Sequence, residues 1–256
     1  MIIDIHSHIL PKIDDGSLNL NMTYNMLKKY SKEGTKNIVA TPHYCIGYVE
    51  VPLRKVKAMV RMLNKLAVKK GIDVVIYPGQ EVYLTEKIID DYNSKRIGTI
   101  NNSRYMLIEF NMFEFDSNIL SNIYELRLRG VVPIIAHPER YIPVVQNPCI
   151  INDLINEGCL FQLDSESIEG KFGWKIKKTA EILINNKIYN FIGSDAHNDK
   201  KKMIGINNSL KLINKKNEFY KNVFSTSCEH LIENRSIEFE GEKIEKKKWY
   251  LIMKYL

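Results

Sequence analysis

Short apolar runs recur along the chain, and each ends on a histidine or an acid. Residues 2–5 lead into His6 and His8, 37–42 into His43, 74–80 into Glu81, and 105–108 into Glu109. Further on, 131–136 lead into His137, 159–163 into Asp164, and 190–194 into Asp195 and His197. Apolar runs of this length are strand candidates. Between them the apolar positions take helical spacing. Leu20 to Glu33 carries Met22, Met26, Leu27 and Tyr30, with Asn19 as N-cap and Gly34 as stop. Residues 52–70, 116–129, 148–157 and 174–186 repeat the pattern, and the first three of these end at Gly71, Gly130 and Gly158. Strands alternating with helices predict a parallel α/β sheet. Closed on itself, this one is a (β/α)7 barrel, a relative of the eight-stranded TIM form. Polar groups at the carboxyl ends of its strands converge on one face.

Composition narrows the setting. A chain of 256 residues with 45% hydrophobic and 26% charged side chains reads as folded and soluble. No linker or short repeat divides it, so one domain is the simpler reading. The start lacks the basic lead of a signal peptide, and Asp4 and His6 cut its apolar run short. No apolar stretch is long enough to span a membrane. The four cysteines, Cys45, Cys149, Cys159 and Cys228, form neither a CxxC pair nor a disulfide framework, which fits the cytoplasm. The net charge of +7 suits an anionic substrate. It is modest for nucleic acid, none of which is expected as a partner. Residues 1–234 are assigned to the barrel and 235–256 to a basic, aromatic C-terminal tail. Packing of the tail on the barrel as a strand or helix is favoured over contact with an anionic membrane surface or a partner.

The strand-end residues carry the chemistry. His6 and His8 share a strand face, so both imidazoles can address one ion. Asp15 follows in a turn that Gly16 allows to fold back, with Asp14 as its rival. The donor set of His6, His8, Asp15, His43, Glu81, Glu109, His137, Asp195 and His197 contains nitrogen and oxygen but no thiolate. That argues against a closed structural zinc site and suits Mn, Fe, Co or Zn. Glu81, with two oxygens, is the natural bridge between two ions. Ions so paired typically cleave phosphate esters. Arg140, three residues past His137, can fork onto phosphoryl oxygens; a structural salt bridge with Glu139 or another nearby acid is the alternative. Glu81 and Arg140 are the catalytic candidates. Lys202 is the second substrate-binding candidate, although a solvated run describes at least two of Lys200, Lys201 and Lys202 better. Pairing of Glu109 with Arg104, and helix capping by His43, are the rival roles for those two residues. Asp164 stays unassigned, and His230 is read as a surface residue.

These residues resemble the PHP (polymerase and histidinol phosphatase) superfamily of metal-dependent phosphoesterases. Within it the chain is similar to bacterial manganese-dependent protein-tyrosine phosphatases of the CpsB/YwqE type, encoded with capsule and exopolysaccharide genes. The segments Asp4-Ile5-His6-Ser7-His8, Asp14-Asp15-Gly16-Ser17, Thr41-Pro42-His43, Gly79-Gln80-Glu81 and Leu107-Ile108-Glu109 carry the likeness. So do His137-Pro138-Glu139-Arg140-Tyr141, Gly170-Lys171-Phe172-Gly173 and Gly193-Ser194-Asp195-Ala196-His197. The resemblance implies a distorted (β/α)7 barrel with up to three Mn2+ ions. It implies one ion on His6, His8, Glu81 and Asp195, a second on Glu81, Glu109 and His137, and a third on Asp15, His43 and His197. Arg140 would bind phosphate. The implied partner is a tyrosine-phosphorylated bacterial kinase that governs polysaccharide export, and the implied chemistry is attack by a metal-bridged hydroxide. Oligomers occur in some members. Where family members often have an arginine after the final histidine, this chain has Lys200 to Lys202, which give charge without the bidentate fork.

Two other readings compete. A small-molecule phosphoesterase such as a histidinol phosphatase would use the same barrel, though those relatives usually have histidine where Asp15 stands. A non-enzymatic regulator that binds a kinase has no need of nine ligands. A Cys-x5-Arg phosphatase is excluded, because Val51, Ile155, Ser165 and Asn234 occupy the arginine position after the four cysteines.

Overall fold

A computed structural model of the chain describes residues 1–200 and 204–246. Its strands are β1 (Asp4–Ser7), β2 (Asn37–Ala40), β3 (His43–Cys45), β4 (Val49–Glu50), β5 (Val75–Pro78), β6 (Glu81–Tyr83), β7 (Tyr105–Glu109), β8 (Val132–Ala136), β9 (Leu160–Asp164) and β10 (Phe191–Gly193). They form two sheets, ordered β1-β2-β5 and β10-β9-β8-β7-β6-β3-β4. Every pairing is parallel except the β3–β4 hairpin. The fold is thus α/β with a mixed sheet.

Two of the expected strands are broken. The runs 37–42 and 74–80 each bend before their polar residue and resume in the other sheet as β3 and β6. Pro42 has no N–H for a ladder bond. Gly79 packs so closely that a Cβ would meet Val39 Cγ1 at 2.7 Å. His43 and Glu81 therefore open strands, paired with each other in register, rather than closing them. A third irregularity lies in β1. Asp4 pairs with Ile38 and Ser7 with Ala40, three steps against two, so a bulge intervenes. It turns His6 and His8 to the face that Ile3 and Ile5 occupy below them. The sheets meet where Asp195 N–H donates to His6 O (2.9 Å) and His8 N–H to Ala196 O (3.0 Å).

The helices follow their sequence signals closely. Leu20–Glu33 is capped by Asn19, whose side chain accepts from Met22 N–H, and ends at Gly34 with φ 85°. The other expected helices appear as Leu53–Lys69, Ile119–Leu128, Ile151–Asn156 and Trp174–Asn185. A core of Ile3, Ile5, Val39, Tyr105, Leu107, Ile134, Leu160 and Phe191 fills the space beneath the polar cluster. Cys228 and Leu231, from the helix Tyr220–Ile232, close its base. Tyr105 O–H donates to Arg235 O, and Asn152 exchanges two hydrogen bonds with the backbone of Ile244. Residues 235–245 form neither strand nor helix, yet Ile237 and Phe239 pack on the core and Ile244 is buried. Pairing of its polar backbone with side chains of the body replaces the ladder that a terminal strand would need. The segment 247–256 lies outside the described residues, as does Lys202. Among the described residues no helix is long and apolar enough to cross a membrane.

Gly193 lies against the metal-ligand strand, where an added Cβ would sit 2.5 Å from His6 Cβ and 2.8 Å from Gln162 Nε2. Gly193→Ala is expected to destabilise the chain by about 1–3 kcal/mol. The measurement is the midpoint of urea unfolding, compared with an exposed-site control, Val68→Ala.

Candidate metal centre

Four donor atoms converge at the end of β1. His6 Nε2 lies 3.0 Å from Glu81 Oε2 and 3.3 Å from Asp195 Oδ1. His8 Nε2 is 3.2 Å from each of the same two oxygens. The two imidazole nitrogens are 3.2 Å apart. Donor atoms spaced like this are the edges of a coordination shell with bonds of about 2 Å. Hydrogen bonding on their far sides sets both rings. His6 Nδ1–H donates to Gln162 Oε1 (3.0 Å), and Gln162 Nε2 in turn donates to Leu163 O, which fixes the amide orientation. His8 Nδ1–H donates to Asp14 Oδ2 (2.8 Å). Both Nε2 atoms are thereby left facing the cluster.

Glu81 is the hub. Its Oε2 also faces His43 Nδ1 at 3.1 Å, while Oε1 faces His137 Nε2 at 3.0 Å. Glu109 stands beyond, 3.7 Å from His137 Nε2 and 3.9 Å from His43 Nδ1. Asp15 Oδ1 lies 3.6 Å from His43 Nε2 and 3.4 Å from His197 Nε2. Among the described residues, three groups of potential ligands result: His6, His8, Glu81 and Asp195; His43, Glu81 and Glu109; and His8, Asp15, His43 and His197. His43 thus joins the Glu81–Glu109 group as well as the Asp15 group, a sharing that reading along the sequence did not anticipate.

The donor chemistry fits cations. Glu81 Oε2 and His137 Nδ1 are buried without a hydrogen-bond partner. Burial works against ionisation of Glu81, but the charges of His6 and His43 hold it well below the carboxylate range. Asp195 is likewise held down against burial by His6 and His8. Burial, then the Glu81 charge, push Glu109 up to about 9. His6 is raised to about 9, because Glu81 and Asp195 outweigh its burial. His137 is pushed down to about 4 by burial and by the charge of Arg140. Carboxylates and imidazoles compete here for too few protons, a deficit that divalent cations make good.

The remaining candidates sort by contact. Asp15 reaches His43 and His197, whereas Asp14 is spent on His8, Gly16 N–H and His43 N–H. That separates the two rivals, with Asp14 as a support for His8. Arg140 Nη1 pairs with Asp195 Oδ2 (2.6 Å) and Asp164 Oδ2 (3.1 Å), so the salt bridge with a nearby acid exists, but to these two and not to Glu139. Asp164 also caps the helix Ser165–Glu169 through Glu166 N–H. Arg104 binds Asn234 rather than Glu109. His230 is half-buried, with Nδ1 on Ser236 O. Reading along the chain did not single out Gln162, since a glutamine inside an apolar strand announces no partner. Its even spacing from Leu160 and Asp164 was the signal available.

Ligands must shed protons to take a cation. In the metal-free protein the raised Glu109 and His6 add stability that is full below their unfolded values, 4.5 and 6.5, and fades as pH rises through about 9. Adding Mn2+ at pH 7 is therefore expected to release protons, and apparent affinity should climb from pH 6 to 9. Calorimetry in buffers of different ionisation enthalpy measures both, and Glu109→Gln should release fewer protons. Asp14→Ala, which frees the His8 ring, is expected to weaken Mn2+ binding by about 10–100-fold. The check is a direct titration, with circular dichroism to confirm folding.

Comparison with known proteins finds relatives across most of the chain. The family described as capsular polysaccharide synthesis, CpsB/CapC, matches residues 2–233. The chain is 39% identical over 196 residues to the putative tyrosine-protein phosphatase CapC of Staphylococcus aureus, covering 77% of each chain. It is 32% identical over 214 residues to the tyrosine-protein phosphatase YwqE of Bacillus subtilis, covering 84% of each. A chain from the crystal structures of YwqE from Bacillus subtilis and CpsB from Streptococcus pneumoniae, described as unique metal-dependent tyrosine phosphatases, superposes with a TM-score of 0.89. That match has 29% identity and covers 96% of this chain and all of the other. With the family matching across residues 2–233, this chain belongs to the CpsB/CapC family, whose PHP-like metal-dependent phosphoesterases resemble tyrosine phosphatases.

Proposed function

We propose that the chain is a metal-dependent protein-tyrosine phosphatase. Its substrate is phosphotyrosine on a bacterial kinase that controls capsular or exopolysaccharide synthesis. The observation that carries this reading is the bifacial Glu81, whose two oxygens address different histidines and join neighbouring ligand groups. The relatives named as tyrosine phosphatases support the substrate class.

His6, His8, Glu81 and Asp195 would hold one ion, Glu81, Glu109 and His137 a second, and Asp15, His43 and His197 a third. Mn2+ is the proposed metal, with Fe, Co and Zn as rivals. Bound there, divalent ions supply an activated water and neutralise charge on the phosphoryl oxygens. The chain's own residues orient the ester. Arg140, anchored through Nη1 by Asp164 and Asp195, turns its remaining N–H groups to a phosphoryl oxygen. Gln162 and Asp14 keep His6 and His8 in the ligating tautomer. No thiol competes as nucleophile: burial raises all four cysteines, Cys228 to about 12.

The same reading takes the strand order, with its β10–β1 seam, as a distorted (β/α)7 barrel. It sets the protein in the cytoplasm beside its kinase, with oligomers allowed and with the terminal lysine-rich segment available to a membrane surface.

The test is protein stripped of metal and reloaded with Mn2+, assayed on a phosphotyrosine peptide and on histidinol phosphate, with His137→Ala as the blank. Peptide turnover that needs metal and vanishes in the blank is expected. Turnover of histidinol phosphate alone overturns the tyrosine reading in favour of a small-molecule phosphoesterase.

A further inference from the structure

The exposed aromatic side chains of the described residues include Tyr48, Phe113, Tyr124, Phe172 and Trp174. Phe172 differs from the rest in what it touches. The Arg140 guanidinium carbon lies 4.8 Å from its ring centroid, so the proposed phosphate-binding cation covers one part of the ring. The remainder is open, and the residue is 39% exposed. A free apolar surface thus stands directly beside the group that would grip a phosphate.

The ring is held there by its surroundings. Gly170 and Gly173, with φ of 83° and 94°, make the tight turn that carries it. Lys171 ties the turn to the preceding helix through Glu166 (3.2 Å) and Glu169 (2.6 Å). That helix starts at Asp164, itself a partner of Arg140. One unit of chain, β9 with its helix and turn, therefore supplies both a carboxylate to fix Arg140 and an aryl face to flank it. A phosphate ester seated on Arg140 would bring its organic group within reach of this turn, because the Phe172 ring centroid lies 4.8 Å from the guanidinium carbon. An aryl group there can meet Phe172 edge-on or offset, whereas a short alkyl group offers no such face.

We propose that Phe172 is a specificity-determining residue that selects aryl over alkyl phosphates by packing on the ring of the leaving group. This rests on the phosphatase reading above. The test compares Mn2+-loaded wild type, Phe172→Ala and Phe172→Tyr, with phenyl phosphate as substrate and inorganic phosphate as competitive inhibitor. The inhibitor reports the phosphate grip of Arg140 without an aryl group. For Phe172→Ala, KM for phenyl phosphate should rise about five- to tenfold, while the inhibition constant for phosphate stays within about twofold. Phe172→Tyr should restore KM. A parallel rise in both constants would show that the ring acts only through Arg140, and it overturns the proposal. So does a Phe172→Ala protein with both constants unchanged. A wild type that hydrolyses no phenyl phosphate, yet binds Mn2+, overturns the phosphatase reading itself and this proposal with it.

Discussion

Carboxylates crowded at the end of β1 must find counter-charge, most of them away from water. Asp14, Asp15, Glu81, Glu109, Asp164 and Asp195 gather around five histidines and Arg140. Carboxylates withdrawn from water are costly unless paired or bound to cations. Hydrogen bonding satisfies some of them: Asp14 is consumed by His8 and two backbone N–H groups, and Asp164 by Arg140 and a helix cap. Glu81, Glu109 and Asp195 are left to compete: burial and the Glu81 charge push Glu109 up, while three imidazoles crowd one oxygen of Glu81. A site of that kind is ready for divalent ions, whose binding removes the repulsion that the fold otherwise carries.

Local irregularities of the backbone serve this gathering. The β1 bulge brings His6 and His8 round to the interior. The bends at Pro42 and Gly79 move His43 and Glu81 into the second sheet, where they pair side by side. His137 and Asp195 adopt left-handed backbone, with φ of 31° and 50°. Residues other than glycine held there cost about 1–3 kcal/mol each and persist where neighbours over-determine them. For Asp195 the neighbour is His6, whose carbonyl accepts its N–H. The ligand strand thereby fixes the position of a carboxylate that addresses both of its own histidines.

Support for the site comes from residues with no place in the ligand set. Gln162 and Asp14 decide which imidazole nitrogen faces the centre, and Gly193 leaves room for the His6 side chain. Arg140 links the centre to β9 through Asp164, and the turn beyond that strand brings Phe172 against it. Gln162 beside His6, Asp164 beside Arg140 and Phe172 over its guanidinium therefore come from one strand with the short helix and turn that follow it.

Much of this was legible in the sequence. Strand-length apolar runs ending in His, Asp or Glu marked the ligand candidates. The Asn19 and Gly34 signals bounded the first helix to the residue, because caps act within a few residues of chain. The breaks at 41–42 and 79–80 were not legible, since apolar periodicity reports burial and not which sheet a segment joins. Nor were the separate duties of Asp14 and Asp15, the support from Gln162, or the double ion pair of Arg140. Those depend on groups tens of residues away. Local pattern and residue chemistry set which donors exist, their order and the strands that flank most of them. Long-range packing alone set which atom of each donor faces the centre, because a bulge, two sheet switches and a far-side hydrogen bond each rotate a side chain without changing its place in the chain.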